Sequence, residues 1–308
     1  MEIRDCDVQQ AAQFYNANIR APYLPLDDNI AKKALFSNGC VTLGAYREGR
    51  LIGMCSGNTD TKGRAYLTYI EIEGDRLDFD IAQQLVKKTE AELLGDKDSI
   101  SIECHYKNPS WLPWRIKNDS HPYAPGVNES TAQILKQLGY EDSGIQNAYY
   151  RRLDDFYVPD EILSLEKKLE GEGVAVTLYD KNKHHGLEDL LCKLGNDFWS
   201  DYVTSHLDRP ILVAVDTEIG RVVSYTGPLR TQESGRGDYC GIGVLNSYRG
   251  RGIGKLVFYK MCQYHKEHGA SFMSLYTESD NGARFIYEGA GFELVYKWKN
   301  LRKVVKRV

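Results

Sequence analysis

One glycine-rich stretch in the second half of the chain constrains the fold more than any other feature. It follows the run Tyr239 to Val244, which is short, uncharged and bounded by glycines, as is typical of a buried strand. The residues after the stretch predict a long helix. The stretch itself reads Arg249, Gly250, Arg251, Gly252, Ile253, Gly254 and Lys255. The pattern predicts a strand, a tight turn and a helix in direct succession.

This turn has the composition of a phosphate-binding loop. Glycine has no Cβ atom, so a ligand can approach the backbone closely there. The free N–H groups and the positive partial charge at the start of a helix attract anions. Arg249, Arg251 and Lys255 add positive charge nearby. We therefore expect a phosphate or pyrophosphate group at this turn.

Two common nucleotide motifs do not fit the spacing. A P-loop needs a further glycine where this chain has Arg249, and a serine or threonine where it has Leu256. The dinucleotide fingerprint needs a third glycine where this chain has Asn246. Both motifs are excluded.

The stretch resembles the coenzyme A loop of the GNAT superfamily of N-acetyltransferases, which reads R-G-x-G-x-G/A between the fourth strand and the third helix. The residues before it agree, since the family often has V-x-P-x-Y-R there. Val244, Tyr248 and Arg249 match this pattern, and Asn246 replaces the proline.

A second block after the helix and the next strand also resembles the family. Its pattern is N-x-x-A-x-x-x-Y-x-x-x-G-F. Asp280 stands at the asparagine position, and Asn281 comes one place later. The matching residues are Ala283, Tyr287, Gly291 and Phe292.

The resemblance implies acetyl-CoA as the co-substrate and assigns roles to individual residues. A backbone N–H of Gly243 or Val244 would stabilise the developing oxyanion. Tyr287 would be the catalytic acid that protonates the leaving thiolate, or would only pack and hydrogen-bond the coenzyme. The implied cofactor-binding residues are Ile242, Gly243, Val244, Arg249, Gly250, Arg251, Gly252, Ile253, Gly254, Lys255 and Asn281.

The base that would deprotonate the amine is less well defined. Many family members carry a glutamate on the fourth strand, and this strand has none. Asp238, Glu233 and Glu278 lie beside strand ends and could act through water, or the amine binds already neutral.

The first half repeats the order of elements that leads to the loop. Strand patterns cover Cys40 to Arg47, Leu51 to Asn58 and Ala65 to Ile72. Where the loop would follow, Glu71 to Asp80 carries one glycine and several carboxylates, which would repel a phosphate. A strand pattern over Asn147 to Leu153 would close the first sheet. We infer a degenerate copy of the same fold.

The predicted fold is therefore α/β (α+β), with two tandem GNAT-like domains. Each would be a mixed, mostly antiparallel sheet flanked by helices. The predicted boundaries are 1–155 for the degenerate domain, 156–171 for a helical connector and 172–308 for the acetyltransferase domain. The length of 308 residues is sufficient for two cores.

Composition predicts a cytoplasmic protein that binds neither membranes nor nucleic acid. No apolar run approaches the roughly 20 residues that cross a bilayer, and the charged N-terminus is unlike a signal peptide. The net charge of −4 lacks a basic excess. Seven cysteines without regular spacing indicate reduced thiols, with no metal site and no disulfide framework. An oligomer is compatible with the sequence.

Several other residues have two interpretations each. Phe198, Trp199 and Tyr202 form a helical core stripe or line the acceptor pocket. Cys240 fits a buried thiol better than a nucleophile, and the pair His184 and His185 fits a surface position. Two segments form an aromatic, proline-rich loop that covers an acceptor site or fills the vacated cofactor space: Trp111 to Trp114 and Pro122 to Gly126.

Two functions follow. The first is an N-acetyltransferase that transfers the acetyl group of acetyl-CoA to a primary amine of a small molecule or peptide, directly in a ternary complex. The alternative is a non-catalytic acyl-CoA sensor or interaction module, which the missing strand glutamate favours.

Overall fold

The computed structural model describes residues 1–18, 25–60, 62–73, 78–104, 127 and 129–307. They form two compact units. One comprises Met1–Tyr149, Leu275–Asn281 and Leu294–Val308, and the other comprises Tyr150–Ser274 and Gly282–Glu293. The boundaries predicted at 155 and 171 stay a prediction.

The elements up to the middle of the chain are β1 (Glu2–Asp5), α1 (Val8–Asn18), α2 (Asp28–Leu35), β2 (Cys40–Arg47), β3 (Arg50–Thr59), β4 (Ala65–Ile72), α3 (Phe79–Leu94), β5 (Ser99–Cys104), α4 (Glu129–Gln137) and β6 (Glu141–Arg152). The elements after them are α5 (Asp160–Gly171), β7 (Val174–Leu178), α6 (Leu187–Leu194), α7 (Asp197–Thr204), β8 (Leu212–Asp216), β9 (Arg221–Thr226), β10 (Arg230–Thr231), β11 (Arg236–Asp238), β12 (Ile242–Val244), α8 (Ile253–Glu267), β13 (Phe272–Glu278), α9 (Arg284–Gly289) and β14 (Glu293–Lys306).

The sheet of the first unit has the strand order β1, β2, β3, β4, β5, β14, β6. Of the pairs with a defined register, only β4 with β5 is parallel. The strand predicted over residues 147–153 falls in β6, the last strand of this order. Strand β14 lies between β6 and β5, with Leu301 opposite Cys104, because Leu301 enters the same buried cluster as Ile102.

Helix α3 covers this sheet with one apolar face. Ile81, Leu85 and Val86 are buried in the cluster that contains the sheet residues. The same helix buries the carboxylate of Glu90, which pairs with Lys303 Nζ on β14 at 2.8 Å. Burial of a carboxylate requires such a partner, so the pair ties β14 to the first unit.

The second unit contains a four-stranded antiparallel sheet with the order β12, β9, β8, β7. Strand β11 pairs with β10 and, in parallel, with the first residues of β13. Helix α5, predicted as a connector, packs on α8 through ion pairs and buries Ile162 and Leu169. The predicted fold class, a mixed and mostly antiparallel sheet flanked by helices, is confirmed.

The length and composition of the helices determine whether any of them could span a membrane. Within the described residues, no helix combines the length and the apolar composition needed to span a membrane.

Candidate functional site

Of the strand predicted from Tyr239 to Val244, only Ile242–Val244 forms a strand, β12, and a separate strand, β11, ends just before the predicted range. Arg236 and Gly237 of β11 pair with β13, whereas β12 pairs with β9 in the other sheet. Tyr239 to Gly241 belong to neither strand. Gly241 has φ +71°, a left-handed conformation that suits glycine and turns the chain from one partner to the other. We call residues 239–241 the strand break.

Hydrogen bonding on β12 alternates between its two edges. Leu245 N–H donates to Val223 O at 2.8 Å, and the register places Val244 opposite Ser224. In an antiparallel ladder every second pair exchanges hydrogen bonds, so Val244 N–H faces away from β9. The bonded position on β12 is that of Gly243.

This alternation separates the two predicted oxyanion donors. The N–H of Gly243 is used in the ladder with Tyr225, while that of Val244 points to the open edge of β12. The carbonyl of Val244 faces the same way and accepts from Arg249 Nε at 3.2 Å. Of the two residues, Val244 has the geometry of a donor to a ligand.

A short 3₁₀ turn, Asn246–Tyr248, connects β12 to the glycine loop. Tyr248 Oη donates to Asp216 Oδ2 at 2.6 Å, and this bond lowers the pKa of the Asp216 carboxyl. This bond anchors the start of the loop to the end of β8. After it, Gly250 and Gly252 adopt φ +80° and +87°, and α8 begins at Ile253.

The loop presents a run of N–H groups without internal partners. From Gly250 to Lys255, no N–H has a hydrogen-bond acceptor within the described part of the chain. The neighbouring N–H groups are used: Arg249 bonds Asn246 O at 3.3 Å and Leu256 bonds Gly252 O at 3.0 Å. These donors remain for a ligand, as the sequence predicts.

The three loop glycines have different surroundings. A Cβ atom on Gly250 would meet nothing within 4 Å, so this glycine borders open space. On Gly252 it would lie 3.0 Å from Leu165 of α5, and on Gly254 it would lie 3.3 Å from Val244. Gly252 and Gly254 thus permit close packing of the loop on the protein, and only Gly250 opens to the outside.

The three predicted cations are not equally available to a phosphate. Arg251 pairs with Glu172 at 2.8 Å, and Lys255 pairs with Glu161 at 2.9 Å. The bond to Arg251 lowers the pKa of Glu172. Carboxylates in and after α5 therefore offset two of the three positive charges, and the roles of these cations stay predictions. Sequence reasoning missed these partners, since Lys255 and Glu161 are 94 positions apart.

Tyr287 lies on α9 and is 6 % exposed. Its ring centroid is 4.9 Å from that of Phe258 on α8. On the same two helices, a Cβ atom on Gly254 would lie 3.9 Å from the side chain of Ile286. The second unit therefore contains both the loop and Tyr287, whereas Asn281 belongs to the first unit. The roles of these residues stay predictions.

The candidate bases differ in their contacts. Asp238 accepts from Arg230 at 3.0 Å and from Gln232 at 3.1 Å. Glu233 and Glu278 are exposed. Cys240 is buried, and burial raises the pKa of its thiol to about 12, so it is not a thiolate nucleophile.

The histidine pair makes local contacts. His184 Nδ1 accepts from Asp180 N–H at 3.0 Å, and His185 Nε2 lies 2.8 Å from Ile219 O. Within the described ranges, no group of His, Cys, Asp or Glu side chains could hold a metal ion. The aromatic segments Trp111 to Trp114 and Pro122 to Gly126 lie outside the described residues.

The sequence profile of the acetyltransferase (GNAT) family matches residues 165–292, which include the strand break, the loop and α9. Residues 165–292 form a GNAT domain. This match identifies the domain as one of the acetyltransferase type. No curated protein matches the sequence.

The fold of the whole chain is similar to solved GNAT structures. A GCN5-related N-acetyltransferase from Sphaerobacter thermophilus has a TM-score of 0.65 at 15 % identity, over 99 % of this chain and 96 % of that one. A tandem GNAT protein from the clavulanic acid biosynthesis pathway has a TM-score of 0.59 at 14 % identity, over 98 % and 94 %. At these identities the similarity shows the fold alone.

A third similar structure is larger. It contains the GCN5-related glucosamine N-acetyltransferase region of a fungal multi-domain GH3 β-N-acetylglucosaminidase, with a TM-score of 0.68 at 16 % identity. The match covers 98 % of this chain but only 38 % of that protein. This chain therefore corresponds to one part of that larger protein.

Proposed function

We propose that this protein transfers the acetyl group of acetyl-CoA to a primary amine of a small molecule or peptide. The single observation that carries the proposal is the run of N–H groups from Gly250 to Lys255 without internal acceptors. It lies at the start of a helix in a domain of the acetyltransferase type. A helix start of this kind binds phosphate.

The shape of the loop suits a pyrophosphate group better than a single small anion. Gly250 leaves open space at the point where the backbone turns, and the N–H groups before and inside the first turn of α8 follow it directly. Arg249 is the loop cation whose side chain bonds only a carbonyl, that of Val244, among the described residues. The N–H groups would bind the phosphate oxygens, and Arg249 would add charge at their edge.

Acetyl-CoA supplies an acetyl group that is activated as a thioester. The outward N–H of Val244 would stabilise the negative charge that develops on the carbonyl oxygen. The amine nitrogen forms the new C–N bond as the C–S bond breaks. Tyr287 is the proposed proton donor to the leaving sulfur, and the proton that the nitrogen loses returns through water to the Tyr287 phenolate, so that an amide and a free thiol result.

The second candidate is an acyl-CoA sensor without turnover. It is supported by the carboxylates near the strand break: Asp238 is already paired with Arg230, and Glu233 is exposed. Such a protein would bind the coenzyme through the same loop and release no thiol.

Two measurements test the proposal and separate the candidates. Calorimetry with acetyl-CoA should give one site per chain. Release of free coenzyme A, measured with a thiol reagent against a panel of primary amines, should then exceed background hydrolysis. Binding without release would favour the sensor, and absence of binding would refute both.

A further inference from the structure

The first unit contains a small cavity between the β2–β3 turn, the end of β4 and the start of α3. Its volume is about 250 Å³. Three apolar side chains line it and are at most 6 % exposed: Ile52, Ile72 and Ile81. Pockets for drug-sized ligands are larger, roughly 300 to 1,000 Å³, so this cavity has the size for a small metabolite.

Three of the charged groups around the cavity have partners inside the protein. Arg50 donates from both terminal nitrogens to the two carboxylate oxygens of Glu73, at 2.8 and 2.6 Å. This arrangement is the strong bidentate form of an ion pair. The carboxylate of Asp78 accepts from Asp80 N–H at 3.0 Å at the start of α3. These three groups therefore do not require a ligand.

The other two charged groups, Arg47 and Glu48, have no partner. Neither side chain forms a hydrogen bond or an ion pair with any residue that the structure describes. Arg47 lies directly opposite Arg50 in the β2–β3 hairpin. Like charges in this arrangement destabilise a strand pair. Arg50 is neutralised by Glu73, whereas the guanidinium of Arg47 lacks a counter-ion.

The backbone at Glu48 is strained. Its φ is +52°, and among the described residues it is the only residue other than glycine with a positive φ. Gly49 has φ +79°, so the turn uses two left-handed residues, and asparagine, aspartate or glycine usually stands first in such a turn. Strain of this kind is concentrated at functional sites. Glu48 accepts the strain and places a long carboxylate side chain beside the cavity.

An unpaired cation, an unpaired anion and an apolar lining together define the ligand that fits. A guanidinium binds a carboxylate through two parallel hydrogen bonds. A carboxylate such as that of Glu48 binds an ammonium group, and isoleucine side chains favour contact with an aliphatic group. A free α-amino acid with an aliphatic side chain carries all three of these groups on one carbon atom.

Ligands with charges of a single sign fit less well. Glu48, Glu73 and Asp78 outnumber the two arginines, and Asp78 already occupies the helix start that a phosphate would need. A polyamine would place a positive charge against Arg47 and leave that guanidinium unpaired. A molecule with one charge of each sign neutralises both free groups.

We propose that this cavity binds a free aliphatic α-amino acid, with its carboxylate on Arg47, its ammonium group on Glu48 and its side chain on the isoleucines. The site lies within the first unit and does not depend on the proposed acetyl transfer. The first unit would then have a ligand of its own, different in charge from the coenzyme.

The test titrates the full chain with L-leucine and with two molecules that each lack one of its charges. L-Leucine should bind at one site per chain and raise the melting temperature. L-Leucinamide has no carboxylate and 4-methylpentanoate has no ammonium group. Each should bind at least about tenfold more weakly, because one charge of the site stays unpaired. Calorimetry measures the three affinities, and absence of leucine binding or equal binding of either analogue would overturn the proposal.

Two variants assign the contacts. Arg47→Gln should weaken L-leucine binding at least about tenfold, because the bidentate contact is lost. Glu48→Gly should weaken binding as much, and it should raise the melting temperature of the ligand-free protein, because glycine adopts a positive φ without strain. Leucine affinity that stays unchanged in either variant would overturn the site.

Glu218→Gln is the matched control. It removes an exposed carboxylate from the turn between β8 and β9, so it should change neither leucine affinity nor the melting temperature. An equal loss of leucine affinity in this variant would place the ligand elsewhere and overturn the site. Acetyl-CoA binding should persist in all three variants, and its absence in the wild-type protein would refute the proposed function without affecting the amino-acid site.

Discussion

Helices α3 and α8 both follow a strand and cover a sheet, yet their first turns are built in opposite ways. At α3, the carboxylate of Asp78 accepts from Asp80 N–H at 3.0 Å and from Ile81 N–H at 3.3 Å. At α8, Gly252 precedes the first turn and no side chain caps it. One helix start is satisfied by its own anion, and the other has no internal acceptor within the described residues.

This difference explains how one fold can serve for binding in one place and for support in another. An aspartate at the helix start fixes that turn permanently, and it also repels any phosphate. A glycine at the same place leaves the donors unsatisfied until a ligand arrives. Four predictions test the contrast, from the largest expected effect to the smallest.

Gly250→Asp would give the α8 loop an acid like that of α3. We expect affinity for acetyl-CoA to fall on the order of 100-fold, because the new carboxylate would lie beside two phosphates. Gly250 borders open space, and the backbone strain that any side chain meets at its φ of +80° is shared by the asparagine control below. Calorimetry measures the effect. The control is Gly250→Asn, which has the same shape and tolerates φ +80°, and equal losses in both variants would contradict the charge argument.

A buried histidine on α8 makes the stability of the protein depend on pH. His265 on α8 is 0 % exposed with no partner for either ring nitrogen, and burial lowers its pKa to about 4. Asp238 opposes this shift, while His268 and Arg236 add to it. The folded state thus excludes a proton that the unfolded chain accepts below about pH 6.5.

Stability from a neutral His265 is therefore complete above that pH and is lost as the pH falls toward 4. Between pH 7 and pH 4.5 the loss should be on the order of 2 kcal/mol. Urea unfolding at both pH values measures it. His265→Leu should remove most of this pH dependence. If the variant kept the same dependence, other titratable groups would be its cause.

Asp78→Ala would remove the internal anion from α3. The free energy of unfolding should fall by about 1 kcal/mol, because two N–H groups lose their acceptor. Asp78→Asn keeps a capping oxygen and should stay near the wild-type value. Chemical denaturation of the wild type and of the two variants measures the free energy of unfolding of each. A stable alanine variant would show that the first turn of α3 does not depend on this carboxylate.

Glu161→Gln and Glu172→Gln would free the paired cations beside the α8 loop. Each should strengthen acetyl-CoA binding about two- to fourfold at low salt, and the gain should shrink as salt rises. The control is Glu166→Gln, which frees Lys260 one turn further along α8 and should change the affinity less. An equal gain in acetyl-CoA affinity in Glu166→Gln would show that the two ion pairs beside the loop have no particular effect on binding.

Local patterns in the sequence predicted much of this structure. Strands β2 and β4 have the predicted bounds, because alternation and flanking turns are short-range signals. The glycine loop and its unsatisfied N–H groups were also predictable, since three glycines at the start of a helix have a direct backbone consequence.

Features that depend on distant partners were not predictable. The strand break arises because β11 pairs with β13 whereas β12 pairs with β9, and no local sequence pattern specifies which strand pairs with which. The place of β14 beside β5 and the pairing of Lys255 with Glu161 join residues far apart in the chain. The cavity beside the β2–β3 turn is visible only once its surroundings are packed.

The place of β14 also bears on how the protein is made. Lys303 of β14 pairs with Glu90 of α3, although the two residues are 213 positions apart in the sequence. During synthesis the earlier part of the chain must therefore wait, with β5 lacking its neighbour, until this late segment leaves the ribosome. Chaperones would meet that exposed edge first.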